Sequence, residues 1–203
     1  EHRIADAGSG GDLLAETRPY AFGDEPARID SRQTLKNALR RVDSRHPLAL
    51  HLVTKPQVAR YMGRYFMQPS ANLVQGVLDR IHFHDWREST AASDITACDM
   101  AVIPIDLRDP LTTGKPENKL QAFWRMGLPA VVSATPAHRR VMEKAGLPMA
   151  CTTEDDWEAT LTKYIVDAEG RRQAALRGKA HSDQFAAEDR ILRQWDSALE
   201  SIL

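Results

Sequence analysis

Short runs of apolar residues alternate along this chain with segments whose apolar positions repeat every three or four residues. The runs Leu48–Thr54, 100–105 and Ala130–Ser133 predict buried β-strands. Segments 31–42 and 116–127 have the spacing of amphipathic helices. Strands that alternate with helices are typical of parallel sheets whose crossovers place helices on both faces. The pattern therefore predicts an α/β fold, a doubly wound parallel sheet of the Rossmann-like kind.

The weaker patterns fit the same architecture. At 203 residues the chain is expected to form one domain over residues 1–203. Three helices are expected after residue 152. The other expected elements are strands at His2–Ala7, 80–86 and 149–152, and helices at 57–66, 73–78, 94–98 and 136–144.

The most specific local motif is the helix start in the sequence KPENKL, residues 115–120. Pro116 suits the first helical position and Gly127 suits the left-handed residue just past the helix end. Lys115, Asn118 and Lys119 surround the N–H groups of the first turn, which have no partner within a helix. Free N–H groups and ammonium groups together favour a bound diphosphate.

Ligands of doubly wound sheets bind outside the carboxyl ends of the strands, so residues at those ends are further candidates. Thr54 and Lys55 end one predicted strand and Trp86 ends another. Gly10 and Gly11 follow the first strand, but their loop lacks the full G-x-G-x-x-G spacing. A solvated lysine and a buried tryptophan remain alternative interpretations of Lys55 and Trp86.

Composition excludes several classes of function. The formal net charge of −1 provides no field that would attract nucleic acid. No apolar run approaches the roughly 18 residues that a transmembrane segment needs. His82, His84 and Asp85 suggest a metal, because alternate strand residues such as His82 and His84 point the same way. A catalytic zinc site generally takes three protein ligands, and the sequence indicates no third ligand for these two histidines. We therefore expect no metal and no other cofactor. Two isolated cysteines indicate a reduced, cytoplasmic protein.

Three segments together resemble a known family. They are CDMAVIPID (98–106), KPENKLQAFWRMGLPAVVSATPAH (115–138) and EDDWEATLTKYIVDAEGRRQ (154–173). They resemble the carboxy-terminal, donor-binding half of GT-B-fold glycosyltransferases of the family 4-like, group 1 type. The resemblance covers residues 99–203 well and the earlier residues only by topology.

The resemblance implies a glycosyltransferase whose chain binds a nucleoside-diphosphate sugar, with the diphosphate at Lys115, Glu117, Asn118 and Lys119. The sugar would pass to a glycan or lipid-linked acceptor held by an N-terminal domain that this chain lacks, in the synthesis of cell-surface polysaccharide. The chain alone is then expected to bind without turnover.

One departure from the family is informative. Many retaining members have two glutamates at positions that align with Gly114 and Ala122. Neither residue can ionise, so Glu117 is an alternative carboxylate. The same departure leaves open a degenerate, non-catalytic scaffold or partner-binding module. A dinucleotide-binding oxidoreductase is a third, weaker interpretation, because no acidic residue ends the second strand.

Overall fold

A computed structural model describes residues 2–7, 31–61, 65–185 and 187–201 of the chain. Six parallel strands form one sheet and two antiparallel strands form a separate pair. In chain order the strands are β1 (His2–Ala7), β2 (Leu48–Thr54), β3 (Gln57–Tyr61), β4 (Tyr65–Pro69), β5 (Ile81–Asp85), β6 (Met100–Ile103), β7 (Ala130–Ser133) and β8 (Ala150–Cys151).

Helices connect most of these strands. In chain order they are α1 (Ser31–Asp43), α2 (Ala91–Thr96), α3 (Pro110–Thr113), α4 (Asn118–Arg125), α5 (Pro136–Ala145), α6 (Glu154–Val166), α7 (Ala168–Phe185) and α8 (Glu188–Glu200), with a 3-10 turn at Ser70–Leu73 between β4 and β5.

The order of the six parallel strands confirms the doubly wound α/β fold. It is β5-β2-β1-β6-β7-β8, so the chain winds outward from β1 in one direction and then returns to the centre and winds in the other. The direction reverses between β1 and β6, which pair in parallel. Because all six strands are parallel, their carboxyl ends share one edge, and the crevice at the reversal is where such sheets bind ligands.

The central strands and α4 form the core of this sheet. All residues of β6 and β7 are buried, as expected for parallel strands covered on both faces. Leu120, Phe123 and Trp124 place one face of α4 in the same core. Gly127 ends α4 with a φ of 75°, which confirms the predicted left-handed residue at that position. Burial of this face therefore fixes the position of α4 beside the crevice.

Three predicted local structures are wrong. The helix expected at 57–66 is the β3–β4 pair, which agrees with the β-branched and aromatic side chains of its sequence. The helix expected at 73–78 is replaced by the 3-10 turn and by Gly76, whose φ of 67° breaks a helix. Helix α4 begins at Asn118 instead of Pro116, with Glu117 as the N-cap residue.

The last helix, α8, has a row of exposed apolar side chains on one face. They are Ile191, Leu192, Trp195 and Leu199. Among the helices in the described part of the chain, none combines the length and the apolar character needed to cross a membrane.

Candidate functional site

Two loops meet at the carboxyl ends of β6 and β7. The backbone N–H of Ile105, just past β6, donates to the Ser133 hydroxyl oxygen at the end of β7, at 2.7 Å. Ser133 is buried, so this hydrogen bond satisfies two polar groups that are otherwise removed from water. The loop before α4 and the loop before α5 are thereby fixed next to each other.

The start of α4 has the polar surface that the sequence predicts. Asn118 is exposed and Lys115 and Lys119 are half-buried. The short helix α3 precedes them, and the Lys115 N–H donates to the Thr112 carbonyl at 3.2 Å. The N-cap residue Glu117 makes no side-chain cap hydrogen bond. The N-cap side chain therefore leaves the first-turn N–H groups of α4 uncapped.

Glu117 is paired with a residue of the next helix. Its carboxylate lies 3.4 Å from the Arg140 guanidinium, measured from Oε2 to Nη2. The Glu117 side chain is 12% exposed, whereas that of Arg140 is 56% exposed. The ion pair links the start of α4 to α5, and most of the guanidinium still faces solvent.

His138 fixes the loop that follows β7. Its ring nitrogen Nδ1 lies 2.9 Å from the Ser133 carbonyl oxygen, and its backbone N–H donates to the Thr135 hydroxyl at 3.2 Å. A carbonyl oxygen can only accept, so Nδ1 carries the proton. Burial lowers the pKa of His138, which outweighs the opposing effects of the Ser133 hydrogen bond and the Glu117 charge. His138 is therefore a neutral donor to the backbone, not a cationic ligand for phosphate.

His181 of α7 is a second histidine close to α4. Its ring contacts that of Trp124 edge-on, with 5.7 Å between the ring centroids. Its pKa is lowered first by burial and then by the charges of Lys144 and Arg190, while Glu117 opposes them. Gln121 is buried one turn beyond Glu117, and neither polar atom of its side chain has a partner among the described residues.

Asp106 and Arg108 shape the loop after β6. The guanidinium of Arg108 donates to both carboxylate oxygens of Asp106, at 3.0 and 3.1 Å. Thr112 donates to the backbone oxygen of Asp106 at 3.1 Å. This loop leads directly into the Lys115 to Lys119 segment, so these contacts hold the approach to α4 in place.

The other predicted site residues lie at a different part of the same edge. The Trp86 N–H donates to the Thr54 carbonyl at 3.0 Å, which places the ends of β5 and β2 together. Lys55 is exposed, its carbonyl accepts from the Ser70 hydroxyl, and Trp86 packs partly against the core. Since β1 lies between β2 and β6, about 10 Å separates the ends of these two strands.

His82 and His84 of β5, the histidines considered as metal ligands, lie against His51 of β2. His51 Nδ1 lies 2.9 Å from His84 Nε2, and the rings of His51 and His82 stack at 4.8 Å. Within the described ranges of the chain, no group of three or more His, Cys, Asp or Glu side chains is arranged to hold a metal ion.

Sequence reasoning singled out the segment before α4 but missed the residues that connect it to the loop before α5. Ser133, Thr135 and Arg140 are unremarkable in the sequence. The pairing of β6 with β7 brings Ser133 to the Ile105 N–H, and Arg140 reaches Glu117. Gly10 and Gly11 lie outside the described residues.

Comparison with known proteins supports the fold more than any one family. Residues 12–52 match the model of the third domain of Rv0959-like proteins, which is less than half of this chain. No curated protein sequence matches the chain.

Solved structures match over nearly the whole chain. Anabaena Alr3699/HepE, solved with UDP and glucose, is 14% identical with a TM-score of 0.61, over 98% of this chain and 48% of its own. WaaG, a glycosyltransferase involved in lipopolysaccharide biosynthesis, is 15% identical with a TM-score of 0.55, over 90% of this chain and 43% of its own. A putative UDP-N-acetylglucosamine 2-epimerase from Listeria monocytogenes is 17% identical with a TM-score of 0.52, over 98% of this chain and 45% of its own.

These likenesses establish the class of fold, a Rossmann-like α/β domain of the kind found in GT-B glycosyltransferases. The chain spans less than half the length of these three proteins.

Proposed function

We propose that this chain is the donor-binding domain of a glycosyltransferase and holds a nucleoside-diphosphate sugar at the carboxyl ends of β6 and β7. The observation that supports the proposal is the start of α4, the helix that connects β6 to β7, because β6 is one of the two strands between which the strand order reverses. Ligand crevices of doubly wound sheets lie at this point. Anabaena HepE, which shares this fold, was solved with UDP and glucose and again with UDP-glucose, and this supports the same ligand class.

The proposed contacts follow from charge. The diphosphate lies at the start of α4, where first-turn N–H groups and the ammonium groups of Lys115 and Lys119 oppose its negative charge. When the sugar leaves, the nucleoside diphosphate gains charge, and fixed donors at a helix start stabilise that charge without reorganising. Thr54, Lys55 and Trp86 extend the proposed site toward the nucleoside, with Gly10 and Gly11 as further candidates.

The remaining parts of the proposal concern the whole protein. We propose that a glycan or lipid-linked acceptor binds to a second domain, and that the protein acts in the cytoplasm on cell-surface polysaccharide. The domain boundaries proposed for the donor part are residues 1–203. The cationic side chains supply the charge stabilisation, so the proposal includes no metal and no other cofactor.

Calorimetric titration of the chain with UDP, GDP, CDP and ADP tests the proposal. We expect one of the four to bind with a Kd below 1 mM, which corresponds to about −4.1 kcal/mol. Changing Lys115 and Lys119 together to Ala should weaken that binding by about tenfold or more, because even with the full screening of water each lysine about 4 Å from a phosphate supplies about 1 kcal/mol of charge interaction.

A matched control uses a lysine outside the crevice. Lys179→Ala removes an exposed lysine of α7 that pairs with Asp183. We expect this variant to bind the nucleotide as the wild type does. Absence of binding by all four nucleotides, or equal weakening in the control, contradicts the proposal.

A second candidate function follows from Gly114 and Ala122. Because neither can act as a carboxylate, the domain is alternatively a non-catalytic scaffold or partner-binding module. The lysine variants distinguish the two functions in the full-length protein. Loss of sugar transfer supports donor binding, whereas unchanged transfer supports the scaffold.

A further inference from the structure

The start of α4 contains a carboxylate at the place where the proposed ligand is negatively charged. Glu117 is the N-cap residue of α4, and its side chain is largely buried. A carboxylate interacts favourably with a helix start, but it repels a second anion that binds the same N–H groups. A diphosphate can bind there only if the charge of Glu117 is offset.

Arg140 is positioned to offset that charge. It lies on α5, two residues after His138, which fixes the loop between β7 and α5. Its guanidinium lies within 3.4 Å of the Glu117 carboxylate. The pair has a formal net charge of zero, and it joins the two loops that form the candidate site.

We propose that Arg140 is a positioning residue for diphosphate binding, and that it acts by neutralising Glu117 and not by contacting the phosphates. The inference rests on the proposed function and concerns how its anion site tolerates a carboxylate. Glu117 is then a structural partner of Arg140, whose charge must be masked for the nucleotide to bind.

The inference makes a prediction about net charge. The pair has a formal charge of zero in the wild type, −1 in Arg140→Ala, +1 in Glu117→Gln and zero in the double variant. One unit charge about 6 Å from a phosphate, at an effective dielectric constant of about 40, changes affinity about tenfold. Affinity should therefore follow the charge of the pair and not the presence of the guanidinium.

The test is a double-variant cycle measured by calorimetric titration with UDP, or with whichever of the four nucleotides binds best, at one ionic strength. We expect Arg140→Ala to raise the Kd about tenfold and Glu117→Gln to lower it severalfold. The double variant should restore a Kd within about threefold of the wild type. Arg140→Lys keeps the charge and should bind nearly as the wild type does.

Several results would overturn the inference. A double variant as weak as Arg140→Ala shows that the guanidinium itself holds phosphate. Weaker binding of Glu117→Gln shows that the carboxylate contacts the ligand. An unchanged Kd in Arg140→Ala removes any role for the pair. If the wild type binds none of the four nucleotides, the proposed function fails first and the inference fails with it.

A control pair separates charge masking from general effects on the protein. Arg172 and Glu169 form an exposed ion pair on α7, with 2.7 Å between Nη2 and Oε1. Arg172 precedes Ser182, the α7 residue that donates to α4, by about 15 Å of helix. The same cycle of Arg172→Ala and Glu169→Gln should leave the Kd unchanged, and thermal denaturation should show that all variants are folded.

Discussion

The contact between α7 and α4 leaves no room for a side chain at Gly178. A Cβ atom at this position would lie 2.6 Å from Trp124 Cδ1, 2.7 Å from Cγ and 2.8 Å from Nε1. Trp124 is completely buried, so its indole cannot rotate away without displacing core residues. Gly178→Ala therefore tests directly whether α7 packs on α4 as the structure shows.

Two effects of opposite sign decide the magnitude. Alanine in place of glycine inside a helix is favourable by about 1 kcal/mol. Overpacking a rigid core costs about 1 to 3 kcal/mol and occasionally more, and three ring atoms closer than van der Waals contact place this site at the upper end. The expected net loss is about 1 to 2 kcal/mol of unfolding free energy, or about 2 to 8 °C in Tm for a chain of this size.

Urea denaturation followed by circular dichroism measures this loss, and α7 provides its own control. A Cβ at Gly170 would lie 2.2 Å from Asp167 Oδ2, but that carboxylate is exposed and can rotate away. Gly170→Ala should change stability by less than about 1 kcal/mol, because the gain in helix propensity offsets the disturbed Asp167 hydrogen bond.

A Trp124→Phe background identifies the cause of any loss. Phenylalanine lacks the second, fused ring, so its single ring can shift into the space that the indole vacates and away from the new Cβ. Gly178→Ala should therefore cost less in that background than in the wild type. If Gly178→Ala is as stable as the wild type, or costs the same in both backgrounds, the packing of α7 on α4 is not as described.

Two further predictions concern capping and protonation. Thr153 and Asp156 form a reciprocal capping box at the start of α6. Thr153→Ala should therefore lose about 1 kcal/mol of unfolding free energy in urea, and Thr153→Ser should lose much less. Equal stability of the wild type and the two variants contradicts the cap. Burial lowers the pKa of His138 below that in the unfolded chain, so the unfolded state binds more protons as the pH falls through about 6.5. The unfolding free energy should therefore decrease as the pH is lowered from 7 to 5. His138→Asn should reduce that slope in urea unfolding at the two pH values, and an unchanged slope would assign it to other groups.

The parts of the fold that the sequence predicted correctly are those with a single strong pattern. Strands β2, β6 and β7 are continuous apolar runs, which buried parallel strands require. The segment after Pro56 is predicted to be a helix, because a short apolar repeat fits the helical period of about 3.6 residues as well as the strand period of about 2. Its antiparallel pairing becomes evident only when Gln57–Tyr61 lies against Tyr65–Pro69.

The candidate site was predictable only where its residues are close in the sequence. The Lys115 to Lys119 segment is predicted from its own sequence, because it contains the residues that precede and begin α4. Glu117 and Arg140 belong to separate helices, and their pairing depends on the adjacent strands β6 and β7. No local pattern specifies such a contact, because it follows from the register of the sheet.

The fold alone does not determine the reaction, since the solved structures that share it include glycosyltransferases and a putative epimerase. Two of those proteins are described with UDP or a UDP sugar: HepE was solved with UDP and glucose, and the Listeria protein is a putative UDP-N-acetylglucosamine 2-epimerase. The chemistry of this chain must therefore be inferred from its own residues. Between residues 110 and 125 its only carboxylate is Glu117, and that group is held by Arg140. In the proposed site, the groups that remain at this helix start are cationic side chains and backbone N–H groups. Such groups favour a diphosphate over sugar hydroxyls as the main source of affinity.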